Sequence, residues 1–214
     1  MSGPPHRLIA ILLTTALAAC APTKAPETWK PLAAPAPFSA SAVCTLTLGS
    51  RELRASGGCA ADPAQGARVE LRDPFGVTLL LIVVTPAHAA LLSPKGGLVY
   101  TWTEAGPEMP WSPSDLMALF TGPPPGSERA APAGGATVFR WKNREGRVTA
   151  EFVPASGSAA PFSESRLKGP LRASLTLRLE SVSGQTFGPE VFRVPEGLRT
   201  EPATPAAILK EAAP

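Results

Sequence analysis

Residues 67–85 constrain the fold more than any other part of this chain of 214 residues. The segment begins with alternation: Val69 and Leu71 share one face, and charged residues occupy the other. This period of two predicts a strand with one buried face. The almost wholly apolar run 77–84 follows and predicts a strand that is covered on both faces or paired at the centre of a sheet. The two segments together predict a β-hairpin.

The connection between the two strands is Asp73-Pro74-Phe75-Gly76. Pro74 cannot donate a ladder hydrogen bond and Gly76 can adopt a positive φ, so we predict a tight turn. Phe75 is unusual, because turns are normally built from small and polar residues. Two alternatives follow for its ring. An exposed ring would indicate a contact with a membrane or a partner, whereas a ring that folds back would fill the core beside Leu71.

Residues 1–19 are predicted to be a secretory signal. His6 and Arg7 precede a mostly apolar run at 8–19, which is shorter than the roughly 17–25 residues of a membrane-spanning helix. Small residues then lead to Cys20, and this pattern resembles the bacterial lipoprotein box. The resemblance implies cleavage before Cys20 and a lipid anchor on it, with acyl chains such as palmitate. Because Ala21 is not acidic, it also implies the outer membrane. The alternative is an ordinary signal peptide followed by a chance cysteine.

The remaining length suits one domain with a hydrophobic core. Of the 26 prolines, many fall in 22–37, so residues 20–41 are expected to be a Pro/Ala-rich tether and 199–214 a disordered tail. The domain is then 42–198. Loss of Arg7 lowers the formal net charge from +3 to +2, without the clustered basic face that nucleic-acid binding needs.

Further alternating segments indicate a mainly β domain of about nine to eleven antiparallel strands. Turn signals at 94–97 and 143–146 predict two more hairpins, and 171–180 shows the clearest alternation of leucine with polar residues. We predict a last strand near 190–194.

One helix is predicted between the strands. Ser112 can cap it, Pro113 suits its first turn and Gly122 can end it. About two turns cannot stand alone in water, so the helix is expected to lie on the sheet as a lid. The apolar residues expected in this lid and in the wall beneath it are Trp102, Trp111, Leu116, Leu119 and Phe120.

Cys44 and Cys59 remain once Cys20 is assigned to lipid. A hairpin of 43–48 with 53–59 could set them side by side, so a disulfide is predicted for an oxidising compartment; the alternative is two separate buried thiols. No metal site is expected, because two cysteines without a nearby histidine or carboxylate cluster cannot complete a tetrahedron.

Signals for catalysis are weak, and an enzyme is not expected. His88 is the one histidine beyond the signal segment and is expected to be structural or to lie on the surface. Ser165 and Lys168 match the Ser-x-x-Lys pattern of penicillin-binding enzymes, but no Ser-Asp-Asn or Lys-Thr-Gly accompanies them. No cofactor is implied.

The segment 68–80, read as strand, Asp-Pro-Phe-Gly turn and apolar strand, resembles the strand, Asn-Pro-Leu-Gly turn and strand of the LolB family. The short helix after Pro110-Trp111-Ser112-Pro113 resembles that family too, and the similarity extends over about residues 43–197. The loop 122–135 and the segment 192–197 are more similar to the wider LolA/LolB carrier superfamily.

This resemblance implies a half-open antiparallel β-barrel with helices over its open side. It also implies a lipid-anchored outer-membrane protein facing the periplasm, which takes acylated lipoproteins from a periplasmic carrier and inserts them into the membrane. Phe75 matches the loop residue thought to enter membrane lipid, with Pro74 and Gly76 as its scaffold.

The residues themselves agree with a carrier, because a curved sheet with one short helix leaves an apolar cavity that can hold acyl chains. We expect a monomer. The alternatives are a fully packed β-sandwich and a non-catalytic adaptor lipoprotein that binds a periplasmic protein through its edge strands.

Overall fold

The structure is a computed structural model that describes residues 35–93, 97–105, 109–122, 128–130, 138–142, 146–155, 160–170, 172–202 and 204. The described residues contain one α-helix, α1 (Pro113–Thr121), and a 3-10 helix, Pro189–Phe192. Its strands are β1 (Phe38–Leu48), β2 (Arg51–Asp62), β3 (Gly66–Arg72), β4 (Thr78–Val84), β5 (Ala89–Ser93), β6 (Leu98–Trp102), β7 (Glu128–Ala130), β8 (Val138–Lys142), β9 (Thr149–Pro154), β10 (Phe162–Lys168), β11 (Ser174–Gly184) and β12 (Arg199–Pro202).

These strands form one sheet in the order β12-β6-β5-β4-β3-β2-β1-β11-β10-β9-β8-β7. Neighbours pair antiparallel, except that β12 runs parallel to β6. The sheet is open, with β12 and β7 as its two edges. The predicted mainly β, half-open architecture with a short helix is therefore confirmed, with twelve strands in the described part of the chain.

β1 is longer than predicted and joins the two halves of the sheet. It pairs with β2 from Phe38 to Leu48 and with β11 from Phe38 to Thr47. The assignment of residues 38–41 to the tether is wrong, because they are part of this strand. The signal was faint in the sequence, since the buried positions Ala40 and Ala42 carry little apolar surface.

The C-terminal end also departs from the prediction. Residues 199–202, expected in a disordered tail, form β12, and 190–194, predicted as a strand, begins as the 3-10 helix Pro189–Phe192. The chain returns to the open edge of β6, where Arg199 lies opposite Leu98. The unpaired edge of β6 thus decides the conformation of a segment whose own sequence lacks apolar alternation.

The main core lies on the face of the sheet that α1 covers, which we call the inner face. A second, smaller cluster lies on the opposite, outer face, where Val194 and Leu198 of the returning C-terminal segment cover part of β4, β5 and β6. Its buried residues are Leu81, Val83, Ala90, Leu92 and Val99. Burial on both faces explains why β4 and β5 are almost continuously apolar.

The predicted disulfide between Cys44 and Cys59 is wrong for this fold. The tight turn at Gly49 and Ser50 fixes the register of β1 on β2, so that Cys44 lies opposite Ala55 and Cys59 opposite Ala40. The two thiols are offset by four residues, about 14 Å along the strand, whereas a disulfide needs Cα atoms within about 7 Å. Both cysteines are free and buried, as in the alternative reading.

Candidate functional site

An apolar cavity of about 40 Å³ lies between α1, the segment before it and the inner face of the sheet. Its lining contains no charged side chain and, apart from one thiol, only apolar side chains. The lining residues are Cys44, Leu46, Leu48, Leu53, Leu71, Leu80, Ile82, Leu91, Trp102, Met109, Pro110, Trp111, Leu116 and Leu175. Such a lining offers contact area for an apolar chain and no directional hydrogen bonds.

The two tryptophans predicted for the wall contact each other. The indole Nε1 of Trp102 donates a hydrogen bond of 3.0 Å to the carbonyl oxygen of Trp111. The Trp111 ring lies against Gly169, where an added Cβ would come within 2.9 Å of the Pro110 Cβ and 3.1 Å of the Trp111 Nε1. The absence of a side chain at Gly169 therefore lets the segment before α1 lie close over the sheet.

The helix α1 begins with the predicted capping signals. The Ser112 hydroxyl accepts a hydrogen bond from the Asp115 backbone amide, and the Asp115 carboxylate accepts one from the Ser112 amide. This capping box satisfies two of the amide groups that a helix N-terminus leaves free. It fixes where the lid starts and so where its apolar residues point.

The five predicted lid and wall residues come together in one core cluster, but they do not all line the cavity. Trp102, Trp111 and Leu116 line it. Leu119 and Phe120 are 1% and 4% exposed and lie in the surrounding core. They anchor α1 to the sheet, so only one turn of the helix forms cavity wall.

The hairpin tip between β3 and β4 is the second candidate site. Phe75 is 92% exposed and Val77 61% exposed, so the ring does not fold back beside Leu71. The Asp73 carboxylate accepts hydrogen bonds from the amides of Phe75 and Val77, at 2.8 and 2.9 Å, and Gly76 has a φ of 84°. The Asp73 amide also donates to the Val77 carbonyl oxygen at 2.9 Å and the Gly76 amide to the Asp73 carbonyl oxygen at 3.0 Å, so the turn is fixed while its apolar residues stay in solvent.

Polar contacts stiffen the base of this hairpin. The Glu70 carboxylate accepts a hydrogen bond of 2.7 Å from the Thr78 hydroxyl on the next strand, and Arg72 donates to the same oxygen. These contacts, led by the Thr78 hydrogen bond, lower the pKa of Glu70. The strands below the tip are thus tied to each other on the outer face.

The structure separates the residues of the Ser-x-x-Lys match. Ser165 is fully buried, and its hydroxyl donates to the carbonyl of Leu119. Lys168 pairs with Glu151 at 3.0 Å and is partly exposed. Burial raises the pKa of Glu151, but the hydrogen bond from Lys168 and the charges of Lys168 and Arg140 outweigh it, so the pKa is lowered. Both residues of the match therefore have structural partners.

His88 lies at the turn between β4 and β5, with its Nδ1 3.0 Å from the Thr85 hydroxyl oxygen. Within the described ranges no group of three metal-ligating residues occurs. No helix in that part of the chain is long and apolar enough to cross a membrane. Cys20 and the signal segment lie outside the described residues.

Sequence reasoning missed several residues of the site. Cys44 lines the cavity, Gly169 makes room for its roof, and Ser165 holds the lid. Burial raises the pKa of Cys44 to about 12. No local pattern could have shown these roles, because each contact joins residues that are distant in the chain.

No protein-family model and no curated protein matches this sequence. Among solved structures, the chain is similar to an outer membrane lipoprotein-sorting protein domain from Vibrio parahaemolyticus, with 12% identity, coverage of 74% of this chain and 89% of that one, and a TM-score of 0.47. It is also similar to a LolA superfamily protein from Nitrosomonas europaea, with 10% identity, coverage of 75% and 91%, and a TM-score of 0.45.

A further similar structure is a DUF1329 family protein from Desulfovibrio piger, with 8% identity, coverage of 76% and 91%, and a TM-score of 0.44. At these identities the likeness concerns the course of the sheet alone.

Proposed function

We propose that this chain is a lipid-anchored carrier that shelters acyl chains between α1 and the inner face of the sheet, and that its Phe75 tip enters the membrane during delivery. The observation that carries the proposal is the pairing of an uncharged apolar cavity with a 92% exposed phenylalanine at a structured turn. A buried apolar wall fits a hydrocarbon chain, and an exposed ring fits a membrane interface.

The cavity must widen to hold a chain. Its volume is about 40 Å³, while pockets for small ligands measure roughly 300–1,000 Å³. The roof is the movable part of this proposal, because it is joined to the sheet by apolar packing, which can slide, together with the hydrogen bond from Ser165 to Leu119 and the one from Trp102 to Trp111. Displacement of α1 and residues 109–111 would join the cavity to solvent along an apolar path.

The identity of the cargo follows from the sequence resemblance. Under this proposal Cys20 carries the lipid anchor, the domain faces the periplasm from the outer membrane, and the clients are acylated lipoproteins received from a periplasmic carrier. Transfer needs no chemical step, since each stage differs from the next only in how much apolar surface is buried. The proposed carrier accordingly needs no catalytic group, and we propose that it works as a monomer.

The alternative, an adaptor that binds a partner protein through its edge strands, has less support. The two edges are β7 and β12, with three and four residues. Such short edges provide few main-chain hydrogen bonds for an added strand. An apolar cavity also has no role in that mechanism.

The test is the binding of a fluorescent fatty acid, with a pair of matched variants. Leu91 lines the cavity, whereas its neighbour Leu92 lies in the outer cluster. We expect Leu91→Phe to weaken binding at least tenfold and Leu92→Phe to leave it within twofold, with melting temperatures recorded for both. If the unmodified protein shows no saturable binding, or if both variants lose binding equally, the acyl-binding cavity is contradicted.

A further inference from the structure

We infer that the end of the sheet that carries Phe75 docks on membranes containing anionic lipid headgroups, with Arg51, Arg54 and Arg172 as the residues that contact lipid phosphate. This inference rests on the proposed function and deepens it, because it names the lipid chemistry that the Phe75 tip meets. We call this end of the sheet the tip end.

The register of β2 on β3 places an arginine beside the tip. Ser56 lies opposite Arg72, the last residue of β3. Arg54 precedes Ser56 by two residues and is therefore nearer the β1–β2 turn. It lies at the level of the turn that follows Arg72. Arg54 and Ser56 are both exposed and alternate with buried Ala55, which sets Arg54 on the outer face, at the level of the turn that contains Phe75.

Two more arginines lie at the same end. Arg51 is the first residue of β2 and lies opposite Leu48, directly after the β1–β2 turn. On the other side of β1, Thr47 lies opposite Ser174, so the β10–β11 turn, which contains Arg172, reaches the same level. Three successive turns of the sheet therefore bring their basic side chains and Phe75 to one end.

These three arginines have no salt bridge within the described part of the chain. Arg140 and Arg178, by contrast, each pair with an acid within about 4 Å, Arg140 with Glu151 and Arg178 with Glu180. The three unpaired guanidinium groups are thus available for a partner from outside the chain.

The acidic residues at the tip end offset only part of this charge. Glu52 is exposed, and the Asp73 carboxylate accepts the amides of Phe75 and Val77. A surplus of cations around an apolar projection is complementary to a membrane surface, because headgroup phosphates attract arginine while the interface accepts an aromatic ring.

The test is cosedimentation with vesicles, and it uses residues 20–214 with Cys20→Ser, so that neither a lipid anchor nor the apolar segment 8–19 contributes. One set is phosphatidylcholine and the other contains about one third phosphatidylglycerol. We expect preferential binding to the anionic vesicles, weakened by salt. Each basic residue near an anionic surface raises the affinity for that surface about fivefold. The double variant Arg51→Gln with Arg54→Gln should therefore bind the anionic vesicles about 25-fold more weakly.

The matched control removes two charges elsewhere, through Arg178→Gln and Arg193→Gln. Its affinity for the anionic vesicles should stay within twofold of that of the unmodified arginines. Arg178 lies along β11, and Arg193 lies in the groove with Thr85 and His88 at the opposite end of the sheet. Equal binding to both kinds of vesicle, or equal losses in the two double variants, would overturn the inference.

Fatty-acid binding by the same variants separates this inference from the proposed function. Normal fatty-acid binding without an anionic preference would reject the docking surface alone. An anionic preference without any fatty-acid binding would uphold docking at the tip end and reject the proposed cargo.

Discussion

The hydroxyl of Ser165 in β10 donates a hydrogen bond of 3.1 Å to the carbonyl oxygen of Leu119 in α1, and Ser165 is fully buried. The Leu119 carbonyl is among the last four of the helix, which have no partner within it. This single contact therefore gives one of the free carbonyl groups at the helix end a donor, and it holds α1 over the cavity.

We expect Ser165→Ala to destabilise the domain by about 1–3 kcal/mol, because it leaves the buried Leu119 carbonyl without a donor. It should also speed uptake of a fluorescent fatty acid, since the roof is held less firmly. Urea unfolding and stopped-flow fluorescence measure the two effects. Ser163→Ala is the control, because its hydroxyl makes only a 3.4 Å contact to Val153; unchanged uptake in the Ser165 variant would show that the lid does not limit entry.

Phe75→Glu should leave stability and fatty-acid binding almost unchanged and abolish delivery to vesicles. The ring is in solvent, so the new carboxylate replaces no core contact. Phe152→Glu is the contrasting variant: Phe152 is 1% exposed, and an unpaired buried carboxylate should unfold the domain. Thermal melting and a vesicle transfer assay test both expectations. A large drop in melting temperature for Phe75→Glu, or undiminished delivery, would speak against the assigned role.

Asp73→Ala should loosen the tip without unfolding the sheet. It removes the acceptor of the Phe75 and Val77 amides, and each exposed hydrogen bond contributes about 0.5–1.5 kcal/mol. Vesicle binding should weaken because the ring loses its fixed direction. Asp73→Asn keeps an acceptor oxygen and should retain most binding; if both variants bind alike, the turn does not position Phe75.

Cys44 and Cys59 should resist alkylation in the folded protein. Burial raises the pKa of both thiols to about 12, with the charge of Cys44 adding to the effect on Cys59. The thiolate, which is the reactive form, is therefore scarce at pH 8. Mass spectrometry after iodoacetamide treatment should show no adduct on either residue in buffer and an adduct on each in urea without reductant. A requirement for reductant before the adducts form would establish a disulfide instead.

A shorter tether should stop the tip from reaching the membrane that holds the anchor. β1 runs from Phe38 towards the tip end, about 34 Å along the strand. The 17 residues 21–37 can extend to at most about 60 Å. Deleting 24–33 leaves at most about 25 Å, less than the length of β1.

The readout is an environment-sensitive dye on Val77→Cys in lipidated protein reconstituted into vesicles. Its emission should shift to the blue with the full tether and remain as in water after the deletion. Ten Gly/Ser residues in place of 24–33 restore the reach and should restore the shift. A persistent blue shift in the shortened protein would mean that the domain approaches the membrane by another end.

The local pattern of residues was sufficient for the elements of this fold that alternate or carry turn signals. The alternation of Val69 and Leu71 and the turn at Pro74 and Gly76 predicted the central hairpin, and the cap at Ser112 predicted α1. The same rules failed at 38–41 and 199–202, because alanines, serines and charged residues carry too little apolar contrast to mark a strand.

The sequence by itself determined which residues had to be buried and where the chain had to turn, since both follow from side-chain polarity and backbone restrictions over a few neighbouring positions. The tertiary structure alone decided the rest. The β1–β2 register kept Cys44 away from Cys59, the β2–β3 register set Arg54 at the level of the turn that contains Phe75, and β10 supplied Ser165 to Leu119. Each of these arrangements depends on which strands become neighbours, and that is settled by pairing between segments far apart in the chain.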